Sequence, residues 1–173
     1  MCEITLQYPD ESMEAEAIAF RQEFIGAGES EISGSYKWDT LRYSYGEWLQ
    51  IIRDNLDEKK VSPRFGPSQT FFALNRERQV VGVINFRHVI TDFYKYAGHV
   101  GFSVRPSRRR MGIADRMLRE IVRIAGETGL SEICLVCRAD NEASRKTILK
   151  NGGSLRQTFT VDEITREEDV IRL

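Results

Sequence analysis

The chain has 173 residues, of which 41% are hydrophobic and 29% are charged. A chain of this length and composition can bury a substantial core, which excludes disorder throughout and predicts one folded domain. The 25 basic and 26 acidic side chains give a net charge of −1, which excludes a polycation.

The sequence lacks the features of membrane insertion or export. No apolar run approaches the roughly 18–20 residues that a membrane span needs. The start, Met-Cys-Glu-Ile-Thr, has neither the basic nor the apolar region of a signal peptide. Three cysteines, Cys2, Cys134 and Cys137, are an odd number without framework spacing and are predicted to be free thiols. We therefore expect a cytoplasmic protein with no membrane contact.

The first 68 residues are predicted to be mainly helical. Residues 2–8 alternate in polarity and predict a short strand. Helical periodicity predicts helices over 11–27 and 39–58, and the aromatic side chains of the second helix are more typical of a core than of a cofactor site. Residues 61–68 contain two prolines and are predicted to be an irregular connector.

From residue 70 the pattern changes to strands. Residues 70–74 and 80–86 flank a polar turn and predict a hairpin. After a polar and aromatic loop over 91–98, residues 99–104 predict the next strand of an antiparallel meander. The pattern then predicts a helix over 109–128, a strand over 133–137, a helix over 141–151, and strands near 154–160 and 168–173. The order strand, helix, strand from 99 to 137 predicts a parallel pair.

These elements together predict an α+β fold. Its central sheet is expected to be mixed but mostly antiparallel, with helices flanking it. The sequence shows no internal repeat and no low-complexity tract, so residues 1–173 are predicted to form a single domain.

The most informative segment joins the strand at 99–104 to the long helix. It reads Val-Arg-Pro-Ser-Arg-Arg-Arg-Met-Gly-Ile-Ala over 104–114. Backbone N–H groups at a helix start bind phosphate, a glycine lets the ligand approach the backbone, and arginines raise the local potential. The segment lacks the Gly-Lys-Ser/Thr of a Walker A loop and the glycines of a dinucleotide fingerprint, which disfavours ATP and NAD. It therefore predicts a site for another polyanion.

The spacing of Arg109, Gly112 and Ala114 after Val104 resembles the acyl-CoA pyrophosphate loop of the GCN5-related N-acetyltransferase (GNAT) family. Residues 141–144, Asn-Glu-Ala-Ser, are similar to the Asn-bearing helix that this family places beside the pantetheine. Residues 151–155 read Asn-Gly-Gly-Ser-Leu where the family often has Asn-Gly-Phe. The match covers roughly 70–160, and the order and spacing of its motifs agree.

The resemblance implies acetyl transfer from acetyl-CoA to an amine. It implies an acyl-CoA-binding core over 69–160, a variable helical part over 1–68 that shapes the acceptor site, and a terminal strand over 161–173. Ser103 and Val104 would lie along the pantetheine and thioester, and Asn141 and Ser144 beside the cofactor arm. The backbone of six residues would hold the pyrophosphate: Arg109, Arg110, Met111, Gly112, Ile113 and Ala114.

Two histidines are candidates for proton transfer. His99 stands where many family members carry Glu, and an imidazole with a reference pKa near ~6.5 can accept a proton from an amine acceptor. His88, on the neighbouring strand, is expected to orient the substrate or to replace His99. A water relay, or a strand histidine satisfied by hydrogen bonds, stays open. Two histidines are too few for a His-only metal site, so no metal is predicted.

The main departure from the family pattern is Ile148. Many relatives have Tyr at this position as the general acid, and isoleucine cannot donate a proton. A thiol with a reference pKa near ~8.5 is nevertheless a good leaving group. This departure leaves an alternative function open, a non-catalytic acyl-CoA-binding or regulatory domain.

Other chemical patterns have simpler interpretations. Cys134 and Cys137 have redox spacing, but residues three apart in a strand point to opposite faces. An arginine stripe between 105 and 123 suits nucleic acid, yet RNA-binding sheets usually add exposed aromatic residues, so no nucleic-acid partner is predicted.

The acceptor itself is not predicted beyond a small-molecule or peptide amine. The first 31 residues hold eight acidic side chains and one basic one, which suits either a solvated helix face or attraction of a cationic amine. Assembly as a homodimer is left open.

Overall fold

The computed structural model describes residues 3–173, so the predicted thiol Cys2 lies outside the described residues. The helices and strands follow the predicted order. They are β1 (Thr5–Gln7), α1 (Glu14–Gly26), α2 (Tyr45–Asp54), β2 (Ser68–Leu74), β3 (Val80–Arg87), β4 (Val100–Val104), α3 (Ile113–Gly126), β5 (Glu132–Arg138), α4 (Glu142–Lys150), β6 (Ser154–Val161) and β7 (Ile164–Arg172).

The strands form two antiparallel sheets, in the orders β1-β2-β3-β4 and β5-β7-β6. The predicted parallel pairing of β4 with β5 is wrong, because these strands are edges of different sheets. They meet at one isolated antiparallel bridge between Gly98 and Leu135. Beside this bridge the Cys134 N–H donates to the imidazole of His99 and not to a backbone carbonyl.

The first sheet separates two hydrophobic cores. Strand alternation puts Phe71 and Phe72 on opposite faces. One face packs against α3 through residues such as Met117, and Gly82 allows this close approach because an added Cβ would lie 2.7 Å from the Met117 sulfur. The other face packs against α1 and α2, with Trp48 fully buried. Both faces of β2 and β3 are therefore covered.

Three helix or strand starts differ from the predictions by four residues or more. Helix α2 begins at Tyr45 rather than 39, because Ser44 and Glu47 form a capping box. Helix α3 begins at Ile113 rather than 109, because Gly112 adopts a left-handed conformation with φ +76°. Strand β7 begins at Ile164 rather than 168, and it extends the hairpin with β6.

The α+β prediction, with antiparallel sheets flanked by helices, is confirmed. None of the helices within 3–173 has both the length and the apolar character that crossing a bilayer requires.

Candidate active site

β4 is an edge strand of the first sheet. Apart from the bridge between Gly98 and Leu135, no strand within residues 3–173 pairs with the edge of β4 that faces β5. Ser103 and Val104 pair with Val83 and Gly82 of β3 on one side of the strand. An edge strand presents backbone N–H and C=O groups on its other side, and of these the Val104 carbonyl accepts a hydrogen bond from Arg109 Nε at 3.3 Å. These groups suit an extended ligand that hydrogen-bonds along a strand. Ser103 and Val104, the predicted contacts of the pantetheine and thioester, thus lie at the end of this edge strand.

The segment after β4 forms an open cradle at the start of α3. Arg110 (φ +63°) and Gly112 (φ +76°) are both left-handed. No capping side chain covers Gly112, whereas Ser44 caps α2 and Asn141 caps α4. Among the hydrogen bonds within 3–173, none uses the backbone N–H groups of residues 110–112. Free N–H groups and the positive end of the helix dipole favour an anion here.

The side chains in the cradle divide by exposure. Ile113 is buried in the core and anchors the helix start. Arg110 and Met111 are exposed, and an added Cβ at Gly112 would meet no atom within 4 Å. The backbone is therefore accessible while the helix remains fixed, which fits the pyrophosphate of acetyl-CoA.

Two arginines of this segment are held by acidic residues near α1. Arg105 Nε donates to Glu23 at 2.6 Å, and Arg109 donates two hydrogen bonds of 2.7 Å each to Glu29. The Arg109 guanidinium lowers the pKa of the Glu29 carboxyl. The Ser107 N–H also donates to Glu23, at 2.6 Å. These acids therefore fix the cradle rather than forming a free acidic surface.

His99 lies at the junction between the two sheets and is only 9% exposed. Its backbone N–H donates to the Cys134 carbonyl at 2.7 Å, and its Nδ1 accepts from the Cys134 N–H at 2.9 Å. Burial lowers the pKa of His99, and the positive charge of Arg87 adds to this effect. The neutral imidazole therefore carries its proton on Nε2 and uses Nδ1 as an acceptor.

His88 occupies a different environment. It is half-buried, its ring packs 5.2 Å from that of Phe86, and its Nε2 has no hydrogen-bond partner within the described part of the chain. Burial lowers the pKa of His88. The Arg87 N–H, and not that of His88, donates to the His99 carbonyl at 2.7 Å. Consecutive side chains of a strand point to opposite faces of the sheet. The side chain of His88 therefore lies on the other face from that of Arg87.

Arg87 is the residue at this junction that the sequence analysis missed. It ends β3, and its Nη2 lies 3.6 Å from the position of a Cβ added to Gly101 of β4. The available signal was a charged residue directly after the apolar run 80–86, at the end of a predicted strand.

The start of α4 contains the other predicted cofactor contacts. Asn141 Oδ1 accepts from the Ser144 N–H at 3.1 Å, which caps the helix. Ile148 is 1% exposed and belongs to the core beneath α3. The residue at the family's tyrosine position is therefore a packing residue in this chain.

Comparisons with known proteins agree with this geometry. A sequence model described as an acetyltransferase (GNAT) domain matches residues 5–154. No curated protein sequence matches the chain significantly.

Several solved structures share the fold. The microcin C7 self-immunity acetyltransferase MccE, in complex with acetyl-CoA and AMP, is 19% identical over 99% of this chain and 93% of its own, with a TM-score of 0.69. RimL, a ribosomal L7/L12 α-N-protein acetyltransferase in complex with coenzyme A, is 16% identical over 98% and 94%, with a TM-score of 0.70. Mycobacterium smegmatis RimJ, in complex with CoA-disulfide, is 19% identical over 98% and 81%, with a TM-score of 0.71. Because the domain model covers most of the sequence, the resemblance is confirmed, and the chain belongs to the GNAT acetyltransferase family.

Proposed function

We propose that this acetyltransferase moves the acetyl group of acetyl-CoA directly to a primary amine. The observation that carries the proposal is the open edge of β4 running into the uncapped start of α3. Residues 109–114 would hold the pyrophosphate, Ser103 and Val104 the pantetheine and thioester, and Asn141 and Ser144 the cofactor arm. In this arrangement residues 69–160 bind acyl-CoA and residues 1–68 shape the acceptor site.

Bound acetyl-CoA supplies the activated acetyl group, and the residues of the chain provide orientation and charge stabilisation. Backbone N–H groups at the open end of β4 would stabilise negative charge that develops on the carbonyl oxygen. Holding the amine and the thioester in one cleft also raises the rate of acetyl transfer, since orientation lowers the entropic part of the activation barrier.

Direct transfer is supported by the state of the cysteines. Cys134 and Cys137 are free and buried, and burial raises the pKa of both thiols. Within residues 3–173, neither thiol therefore offers a thiolate at neutral pH, which supports the amine itself as the nucleophile.

The amine must lose a proton before it attacks. Nδ1 of His99 is committed to the Cys134 N–H, so His99 fits a positioning role in which Nε2–H donates to water or substrate. His88 keeps an unpartnered Nε2 but faces away from this junction. We therefore assign proton removal to water. Substitution of each histidine tests whether it takes part directly. Ile148 donates no proton, so the thiolate leaves without a tyrosine acid.

The test uses a matched pair of substitutions at Gly112. Asn and Asp are nearly isosteric, and both tolerate the left-handed conformation better than other side chains. Gly112→Asp adds a carboxylate to the cradle, and Gly112→Asn adds none. We expect the Asp variant to bind acetyl-CoA about tenfold more weakly than the Asn variant, equivalent to roughly 1.4 kcal/mol. Its thermal stability should not fall below that of the Asn variant, because a negative charge favours a helix N-terminus.

Acetyl-CoA affinity is measured by calorimetry, and CoA release is measured over a panel of primary amines. Equal affinities of the two variants would contradict the cradle assignment. Tight acetyl-CoA binding without turnover of any amine would instead favour the alternative, a non-catalytic acyl-CoA-binding domain, which the buried Ile148 supports.

A further inference from the structure

Four aromatic side chains and three cations form a cluster beside the start of β4, which we call the acceptor-side cluster. Phe65 is its centre, with ring centroids 5.0 Å from Phe93, 6.3 Å from Tyr94 and 6.4 Å from Tyr36. The cluster joins the segment 34–41, the connector before β2 and the loop before β4. Its full membership is Tyr36, Lys37, Arg64, Phe65, Arg87, Phe93 and Tyr94.

Each cation of the cluster lies over an aromatic ring. The Arg87 guanidinium is 4.2 Å from the Tyr94 centroid, and that of Arg64 is 4.8 Å from Phe93. Lys37 Nζ is 4.8 Å from the Phe65 centroid. Within residues 3–173, none of the three forms an ion pair with a carboxylate. Positive charge is therefore concentrated here without a counter-ion from the described chain.

Arg87 is the most constrained of these cations. Its Nη1 donates to the Gly98 carbonyl at 2.9 Å, while its Nε is buried without a hydrogen-bond partner. Placing a cation in a partly buried site without a carboxylate is unfavourable for folding. Asp92, which lines a cavity with Arg64, and Glu58, whose charge acts on His88, form no ion pair within residues 3–173. An anion from outside the chain would offset the cost.

The backbone also holds the cluster in a strained arrangement. Tyr36 (φ +48°) and Lys37 (φ +71°) are consecutive left-handed residues that are not glycine. Such conformations cost free energy and persist where surrounding contacts determine them. Gly34 is packed directly against the Gly101 carbonyl, where any added Cβ would overlap. The segment is thereby fixed over the start of β4.

The position of Arg87 connects the cluster to the proposed reaction. Its guanidinium lies beside Gly101, and Gly101 is two residues before Ser103. Two residues of a strand span about 7 Å. An anionic group held by Arg87 would therefore leave the amine of a small molecule within reach of the thioester position.

We propose that the acceptor is a small primary amine that also carries a carboxylate or phosphate group, and that Arg87 binds this group. This inference rests on the proposed acetyl transfer and names its substrate class. The aromatic rings then pack against the body of the acceptor, and Lys37 and Arg64 add to the positive potential at the entrance.

The test compares matched ligands that differ in the anionic group. Phenylalanine is paired with phenylalaninamide, and O-phosphoethanolamine with ethanolamine, so that the two arms separate carboxylate from phosphate. Binding is measured by calorimetry in the presence of CoA, and turnover by CoA release from acetyl-CoA. We expect at least one ligand with the anionic group to bind tenfold or more tightly than its partner without that group, with the same order in kcat/KM.

Variants locate the effect. Arg87→Met should abolish the preference for the anionic ligand, and Arg87→Lys should restore part of it. Arg53→Met, which removes an exposed ion pair with Glu11 outside the cluster, should preserve it. Retained acetyl-CoA binding shows that each variant is folded.

Equal binding of both members of each pair to the unchanged protein would overturn the inference, as would absence of binding by any of them. Equal weakening of both members by Arg87→Met would also overturn it. Anion-selective binding without CoA release would uphold the Arg87 site and reject acetyl transfer, so the two failures are distinguishable.

Discussion

At the scale of single residues, His99 shows how one contact changes a chemical interpretation. A histidine in a strand near the thioester position suits a general base, and sequence alone offers no reason to reject that role. In the structure its Nδ1 replaces a backbone carbonyl as the acceptor for the Cys134 N–H. The imidazole thus links the start of β4 to β5 at the point where the two sheets meet.

His99→Asn tests this interpretation, because the amide oxygen of Asn can accept the same hydrogen bond. We expect the variant to keep its stability and most of its kcat, since both require only a hydrogen-bond acceptor for the Cys134 N–H. His99→Leu leaves the Cys134 N–H unsatisfied and should lower the free energy of unfolding by about 1–3 kcal/mol. Chemical denaturation and CoA-release kinetics measure both effects. A kcat loss of a hundredfold in a stable Asn variant would assign base chemistry to His99.

At the scale of elements, the loop before α3 depends on a helix far away in sequence. Glu23 accepts hydrogen bonds from Arg105 Nε and the Ser107 N–H, both at 2.6 Å. On α3 itself, Arg119 and Arg123 pair with acids of their own helix. The arginine stripe is therefore largely an internal network of ion pairs.

Glu23→Ala should loosen the loop without removing any residue that contacts acetyl-CoA. The lost charge-assisted hydrogen bonds should reduce the free energy of unfolding by about 1–3 kcal/mol. The KM for acetyl-CoA should rise severalfold, because residues 109–112 are less well positioned. Steady-state kinetics and denaturation provide the measurements.

Glu11→Ala is the matched control, because it removes an exposed ion pair with Arg53 that does not touch the loop. Its KM for acetyl-CoA should equal that of the unchanged protein. If the two alanine variants had the same KM, the proposed role of Glu23 would be wrong.

The sequence predicted the type and order of these elements well, and their boundaries and pairing less well. Apolar periodicity located α3, but the left-handed Arg110 and Gly112 set its start at Ile113. The order strand, helix, strand predicted a parallel pairing of β4 with β5, because the crossover rule applies to two strands of one sheet. The two strands belong to different sheets here and meet at one bridge, which local pattern does not predict.

At the scale of the whole molecule, stability should depend on the buried His99 and the half-buried His88. Burial lowers the pKa of both His99 and His88, so the unfolded chain binds more protons than the folded one below the unperturbed value near ~6.5. The free energy of unfolding should therefore fall as pH decreases from about 7 and level off below the lowered pKa values.

Thermal unfolding between pH 8 and 5 measures this dependence. His99→Asn should have a flatter profile over that window, because its side chain does not titrate. Paired carboxylates such as Glu29 have lowered pKa values and lose their contribution at more acidic pH, outside the window. An unchanged slope in the Asn variant would show that His99 is not a buried neutral group.

The sequence by itself determined the α+β class and the family, because periodicity and motif spacing are properties of neighbouring residues. Only the tertiary structure decided that acidic residues hold Arg105 and Arg109, that the His99 imidazole accepts from the Cys134 N–H, and that Arg87 lies at the junction. Each of these facts depends on residues distant in the chain, as the separation of 82 positions between Arg105 and Glu23 illustrates. Such pairs come together only when the cores on both faces of the first sheet have packed, so local sequence pattern carries no signal for them.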